Sequence, residues 1–245
     1  MSERVRLQEL RDFTVQIRVA GTEAVVGTGV VVSMDGQVVK EAIGAHPRQA
    51  RDAEVGVYFP QARGGEVKER RATVAACFPQ HDDDVVLLQL AGGPAPLGPE
   101  QIAVLGRAED SCYHPFRSYG FRRLDKYVAG HAHGMILDCV LPPQGLDVLA
   151  EPVQLESSQI NLGMSGAGVL DVERNLVVGV VSETWFPDLS TKDRDTAWAV
   201  NARVLSLAPL GLPLRDAPLA KRPAPQPKTD VAAARAAMAA EPGVA

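Results

Sequence analysis

Short stretches in which apolar and polar residues alternate follow one another through most of this chain, each bounded by turn residues. Phe13, Val15, Ile17 and Val19 alternate with polar positions, which is the pattern of a strand buried on one face. Strands this short and this numerous favour an all-β fold made of barrels or packed sheets. Comparable stretches are found at 24–33, 37–39, 54–59, 71–78, 84–90, 102–106, 115–121, 128–138, 152–158, 167–171, 176–182 and 195–200.

Two segments interrupt the strand pattern. Residues 91–99 are rich in Gly and Pro and lack periodicity, which predicts a connection between two halves of a domain. Residues 214–245 are rich in Ala and Pro, and their spaced prolines favour extended polyproline II over a packed core. We therefore predict a folded domain over 1–213 and a linker or disordered tail over 214–245, which could join a further domain or an operon partner. Asn201 is suited to cap a short helix at the end of the domain.

Charge and cysteine content exclude several classes of protein. The chain of 245 residues has 25 Lys and Arg against 30 Asp and Glu, a formal net charge of −5, so the basic surface of a nucleic-acid binder is missing. No apolar run approaches the roughly 18 residues of a membrane span, and no signal peptide is evident. Three cysteines without paired spacing predict a reduced, cytoplasmic protein with neither disulfides nor a zinc site. No nucleotide or cofactor motif is found, so no cofactor is predicted.

The segment 161–168, which reads NLGMSGAG, is the part of the sequence most indicative of a catalytic function. A Ser between glycines in a tight loop can expose its hydroxyl as a nucleophile. The same loop can aim backbone N–H groups at one point, as an oxyanion hole requires, and Gly163 and Ser165 would be the donors. An ordinary Gly-rich turn is the alternative for this segment taken alone.

Four segments together resemble trypsin-like serine proteases, especially their bacterial cytosolic and HtrA-like branch. In chain order they are a Gly-Thr-Gly strand at 27–29, the apolar run that begins at Asp84, the loop of Ser165, and the strand that ends at Ser182. The resemblance implies two six-stranded antiparallel β-barrels, at about 12–90 and 102–209, with the active site in the cleft between them. It also implies a peptide or protein substrate, Ser165 as nucleophile and Asp84 as the carboxylate that orients the base.

The same resemblance implies a substrate groove beside the nucleophile. Ser182 matches the residue before the substrate-binding edge strand, and Glu183 follows it along the cleft. Gln159, six residues before the nucleophile, is expected at the floor of the side-chain pocket, with Trp198 as its neighbour on a later strand. Met164 stands where the digestive branch has an Asp, so a charge pair with a new N-terminus, and zymogen cleavage with it, is not expected.

The catalytic histidine of the family is missing from its expected place. It usually closes a segment that reads apolar-apolar-Thr-Ala-Ala-His, but four residues past Val39 the chain has Ile43. The simplest description is that about six residues carrying the base are absent. His46 is the best remaining candidate, because it follows Ala45 as the family's His follows an Ala. Against it, Pro47 disfavours helix at the residue before it.

The other four histidines are less suited to act as the base. His81 is three residues from Asp84, a spacing that points two strand residues to opposite faces. His131 and His133 alternate on one strand face, where two imidazoles could bind a metal, but no third ligand is evident. His114 lies in a loop without an evident partner.

Three functions are compatible with this pattern. The first is a trypsin-like serine endopeptidase domain, impaired because a Ser hydroxyl without a base is a weak nucleophile. The second is an inactive pseudoprotease that binds an extended peptide by strand addition. The third is an unrelated β protein with an accidental Gly-Met-Ser-Gly loop.

Overall fold

Alternating apolar residues produce two sets of six strands, which the computed structural model describes over residues 8–40, 54–63, 68–121, 129–142, 144–160, 163–182 and 195–219. Two short helices and a 3-10 turn at Pro99–Gln101 accompany the strands. The bounds of the helices are α1 (Leu10–Phe13) and α2 (Ala202–Ser206). The first six strands are β1 (Thr14–Val19), β2 (Val25–Val31), β3 (Gln37–Lys40), β4 (Val55–Tyr58), β5 (Glu69–Cys77) and β6 (Val86–Leu90). The second six are β7 (Pro115–Gly120), β8 (Gly130–Cys139), β9 (Val153–Glu156), β10 (Gly168–Asp171), β11 (Leu176–Ser182) and β12 (Thr196–Asn201).

Each set of strands closes into an antiparallel barrel. Barrel one has the order β1-β2-β3-β6-β5-β4 and closes where β4 pairs with β1. Barrel two has the order β10-β11-β12-β9-β8-β7 and closes where β7 pairs with β10. The prediction of an all-β fold with two six-stranded antiparallel barrels is therefore confirmed. Closure gives each of the twelve strands two partners, so neither barrel presents an open sheet edge.

Local sequence signals explain most element boundaries, with two exceptions. Asp35 and Gly36 form the turn between β2 and β3, where Gly36 has φ 84°. Asn201 caps α2 by accepting a hydrogen bond from the Arg203 N–H at 2.9 Å. Phe13, predicted to lie in the first strand, instead ends α1. The predicted strand at 102–106 is wrong. This segment forms two isolated bridges, at Leu105 and Gly106, because barrel two beside it already has six strands.

Three apolar clusters fill the structure. One fills barrel one and another fills barrel two. The third lies between the barrels and takes residues from α1, α2 and both sets of strands. Its members include Leu10, Phe13, Val30, Val39, Leu87, Leu105, Leu170, Val177, Val180, Val200 and Leu205. The barrels are thus held together chiefly by burial of apolar surface, which positions the cleft between them.

The segment before α1 links distant parts of the chain. The Gln8 backbone N–H donates to Asn175 Oδ1 at 3.0 Å, across 167 sequence positions. Gln8 Oε1 accepts from the Val104 N–H at 2.7 Å. Gln8 therefore fastens α1 to the β10–β11 turn and to the connection between the barrels.

An acidic segment before β6 makes a second contact across the barrels. Asp82 exchanges two hydrogen bonds of 2.7 Å with Asp147, in which each backbone N–H donates to an oxygen of the other residue. Asp83 is fully buried, and its Oδ2 accepts from the Leu149 N–H at 2.8 Å, while its Oδ1 has no hydrogen-bond partner. Burial raises the pKa of Asp83 to about 6; the Leu149 N–H and His81 oppose that shift, and the two neighbouring carboxylates add to it.

The raised pKa of Asp83 makes stability depend on pH. Between pH 4 and 6 the folded state holds a proton that the unfolded state has released, so the free energy of unfolding falls as pH rises. The Asp83→Asn variant has no carboxyl group at this position, so its free energy of unfolding lacks this pH-dependent contribution. Across that interval the native protein should lose up to about 3 kcal/mol relative to the variant. Urea unfolding at several pH values measures the difference, and Asp35→Asn at an exposed turn is the control that should not change the slope.

Candidate active site

Ser165 lies at the tip of a tight turn that only glycine allows at its third position. The turn runs from Met164 to Ala167 and is closed by the Ala167 N–H, which donates to Met164 O at 2.8 Å. Gly166 has φ 88°, a left-handed value that a side chain would strain. Met164 is fully buried in the core of barrel two, so the residue beside Ser165 anchors the turn from below.

Three backbone hydrogen bonds hold this turn between the two barrels. The Thr28 N–H of barrel one donates to Ser165 O at 3.0 Å. On the other side, the Gly166 N–H donates to Val181 O at 2.8 Å, and the Val181 N–H donates to Ala167 O at 2.9 Å. The turn is therefore fixed to β2 and β11 at once, and Ser165 lies in the cleft.

The side chain of Thr28 adds a second connection to the loop. Its hydroxyl donates to Gly163 O at 3.2 Å and accepts from the Phe121 N–H at 3.0 Å, and the residue is 1% exposed. Gly163 itself has φ 91°. One buried hydroxyl thus ties the loop before Ser165 to the end of β7.

Asp84, which precedes β6 of barrel one, contacts the strand of barrel two that holds the turn of Ser165. Its Oδ2 accepts a hydrogen bond from Ser182 Oγ at 3.2 Å, and both residues are buried. Ser182 directly follows Val181, which holds the turn of Ser165 through two hydrogen bonds. Adjacent residues of β11 therefore contact the predicted carboxylate and the turn of the predicted nucleophile.

Two groups of Ser165 are left without partners. Within the described residues, its buried Oγ has no hydrogen-bond partner and its N–H has no acceptor. A free N–H on a turn of this kind is what an oxyanion hole needs. A buried, unpaired hydroxyl costs free energy, and in a serine hydrolase its partner would be an imidazole.

The place where that imidazole is expected follows β3. This strand keeps its pairing up to Lys40, which lies opposite Gly29 of β2 and Val86 of β6 and is 3% exposed. Both His46 and Ile43 come after it, outside the described residues. The barrel register is thus complete before the point at which the family's motif is interrupted.

The histidines within the described ranges make their contacts elsewhere. His81 Nδ1 lies 3.2 Å from Asp147 Oδ2, and His114 Nδ1 lies 2.8 Å from Asp171 Oδ2. His114 therefore has a buried acidic partner that the sequence did not reveal. The other two are exposed residues of β8. None of the four is the hydrogen-bond partner that Ser165 Oγ lacks.

The described residues predicted for the substrate groove lie on β11, on β12 and just after β9. Trp198 pairs with Ser182 across β11 and β12, and its indole Nε1 is buried without a hydrogen-bond partner. Gln159 Oε1 accepts from the His133 N–H at 3.2 Å, so its side-chain oxygen is engaged with β8. Glu183 lies outside the described residues. The proposed roles of these side chains stay predictions.

Neither a metal site nor a membrane span is found in the part of the chain that the structure describes. There, no three His, Cys, Asp or Glu side chains are grouped so that they could hold a metal ion. No helix of the described ranges is both long and apolar enough to cross a bilayer.

Sequence reasoning missed two contacts of the site. Thr28 was noticed only as part of a Gly-Thr-Gly strand, whereas its hydroxyl connects the Ser165 loop to β7. Ser182 was expected to bind substrate, and it is also the hydrogen-bond donor to Asp84. The flanking glycines of Thr28 were the one available signal, since they let other backbone approach the strand closely.

The fold of the chain is that of trypsin-like, HtrA-type serine proteases. No protein-family model and none of the curated proteins matches the sequence. Among solved structures, the HtrA-type protease AlgW with a tripeptide superimposes with a TM-score of 0.59 at 17% identity, over 79% of this chain and 57% of that one. This chain thus spans little more than half the length of AlgW.

Two further solved structures are similar over most of their own length. Rv3671c from M. tuberculosis H37Rv has a TM-score of 0.55 at 19% identity, over 80% of this chain and 84% of that one. Deg5 has a TM-score of 0.57 at 17% identity, over 80% of this chain and 86% of that one. At such identities the likeness establishes the chymotrypsin-like double barrel.

The double role of Thr28 predicts a large cost for removing its hydroxyl. Thr28→Val keeps the shape but leaves the Phe121 N–H without a partner and takes away the donor to Gly163 O. The free energy of unfolding should fall by about 2–4 kcal/mol. Thr28→Ser keeps the hydroxyl and should lose about 1 kcal/mol or less. Chemical denaturation of both variants checks this, and equal losses would contradict it.

Proposed function

We propose that this chain is a trypsin-like serine protease domain with an impaired catalytic centre. Its cleft binds extended peptide segments, and Ser165 lacks the imidazole that would let it hydrolyse them at an ordinary rate. In a comparable triad, loss of the histidine lowers turnover by about 10⁶-fold, so binding becomes the main activity of the domain.

The observation that carries this proposal is the state of the Ser165 hydroxyl. Ser182 donates to the Asp84 carboxylate beside the turn of Ser165, yet Ser165 Oγ is buried and has no hydrogen-bond partner among the described residues. The sequence agrees, because the six-residue shortfall falls directly after β3, where the family has its base. A scaffold that keeps the Ser and Asp matching the family supports substrate binding, while no described residue accepts the proton of the Ser165 hydroxyl.

Peptide binding is supported by a backbone donor at the turn of Ser165. The Ser165 N–H has no acceptor among the described residues, and a backbone carbonyl of an extended peptide would satisfy it. AlgW, which is similar in fold, is known in complexes with a tripeptide and a decapeptide.

An active endopeptidase with His46 as base is the second candidate. The hydrogen bond between Ser182 and Asp84 favours it, because a carboxylate held in this way is ready to orient an imidazole. In this case His46 must come within about 3 Å of Ser165 Oγ during the reaction.

A serine-reactive fluorophosphonate probe distinguishes the two candidates. The impaired centre predicts no labelling of the native protein above that of Ser165→Ala, because the hydroxyl is not activated. Labelling that is lost in both Ser165→Ala and His46→Ala would support the active enzyme and overturn our proposal. Intact mass spectrometry of the labelled protein gives the readout.

Restoring the missing segment is the converse experiment. Six residues that include Thr-Ala-Ala-His, inserted after Lys40, should return an imidazole to the cleft without altering the β3 ladder, which ends at Lys40. Amide hydrolysis should then rise by at least about 10²-fold, out of the ~10⁶-fold attributed to such a histidine. Adding Ser165→Ala to the insertion variant is the control and should abolish the gain. An insertion variant that folds but neither cleaves nor labels would contradict the idea that only the base is missing.

A further inference from the structure

The outer face of the β7–β8 hairpin presents a row of cationic and aromatic side chains. Arg117 lies directly opposite His133, and Tyr119 lies directly opposite His131. The alternate residues of both strands, such as Phe116 and Ala132, point into barrel two, so this row lies on the outer side of the barrel wall, where Tyr119 is half-buried against the cluster between the barrels. We call Arg11, Arg117, Tyr119, His131 and His133 the β7–β8 patch.

The helix α1 extends the patch by one guanidinium. Arg11 Cζ lies 5.4 Å from the centre of the Tyr119 ring, in cation–π contact. Its Nη2 lies 3.3 Å from His131 Nε2, and the rings of His131 and Tyr119 are 4.8 Å apart. Side-chain contacts therefore hold one half of the patch in a defined geometry.

The other half of the patch consists of Arg117 and His133, whose side chains have no partner among the described residues. Arg117 and His133 are exposed, and neither side chain forms a hydrogen bond or an ion pair with any described residue. By contrast, two exposed arginines of barrel one form ion pairs. Arg63 is paired with Glu100 at 2.9 Å, and Arg71 with Glu54 at 3.2 Å.

The distribution of acidic residues strengthens the contrast. The chain has 30 Asp and Glu against 25 Lys and Arg, so carboxylates outnumber the basic side chains. On the strands that flank the hairpin, Glu156 lies opposite Met135, two positions beyond His133. Asp171, next to the partner of Arg117, is fully buried and bonded to His114. Arg117 and His133 lie directly opposite each other and gain no electrostatic stabilisation from that pairing. A bound external anion would provide it.

We propose that the β7–β8 patch is a docking surface for an acidic segment of a partner protein. The guanidinium of Arg117 can bind a carboxylate through two parallel hydrogen bonds. The Arg11–Tyr119–His131 stack provides a second site for a carboxylate beside it. The spacing along β7 places these sites two residues apart, which suits carboxylates at alternate positions of an extended peptide. This surface lies on the outer wall of barrel two, and the acidic segment bound there is distinct from the peptide in the cleft.

A labelled hexaglutamate peptide measures the binding directly. Fluorescence anisotropy should show saturable binding that weakens as salt is raised from 50 to 200 mM, since surface ion pairs are screened. Arg117→Ser should weaken binding by about fivefold, and Arg117→Ser combined with His133→Ser by about tenfold or more. Both residues are exposed, so thermal unfolding should confirm that the variants fold normally.

Two controls separate this surface from general charge and from the cleft. Arg71→Ser removes one exposed arginine from barrel one and should leave the affinity unchanged. An unlabelled hexaalanine peptide, which could enter the cleft but has no side-chain carboxylates, should not displace hexaglutamate, so failure of the proposed function would leave this result standing. No binding by the native chain, equal binding by native protein and Arg117→Ser, or an equal loss in Arg71→Ser would each overturn the proposal.

Discussion

The site depends on the contact between one strand of barrel one and the loop that carries Ser165. Through its N–H and its hydroxyl, Thr28 holds the backbone on both sides of Met164. Buried groups of this kind must be paired, because an unpaired donor or acceptor in the interior costs about 1–3 kcal/mol. The cleft is thus held by buried hydrogen bonds, while the apolar cluster between the barrels supplies most of the attraction.

This arrangement separates the architecture of the site from its chemistry. The turn of Ser165, the Ser182–Asp84 bond and the anchoring by Thr28 all belong to strands or to loops fixed on strands. The base of the family belongs instead to the connection after β3, and β3 completes its pairing at Lys40. Residues can be lost from such a connection without changing any strand register, because the two barrels do not rely on it for closure.

Sequence reasoning predicted the parts of the fold that follow from local pattern. Burial of one strand face imposes a period of two, so the barrel strands were visible, and the Gly-rich turn of Ser165 carries its own signal. The role of Phe13 was missed because alternation continues through it, although its side chain serves the inter-barrel cluster from a helix. The partners of Thr28 lie 93 and 135 positions away and that of Asp84 lies 98 away, so only the tertiary fold reveals them.

The bond between Gln8 and Asn175 has a consequence for the order of assembly. These residues are 167 positions apart, so α1 reaches its final place only after most of barrel two exists. At a synthesis rate of roughly 5–20 residues per second, Leu10 and Phe13 wait roughly 10–30 s for the surface that buries them. Non-local contacts of this kind slow folding, and the exposed apolar residues of α1 are a natural target for chaperones meanwhile.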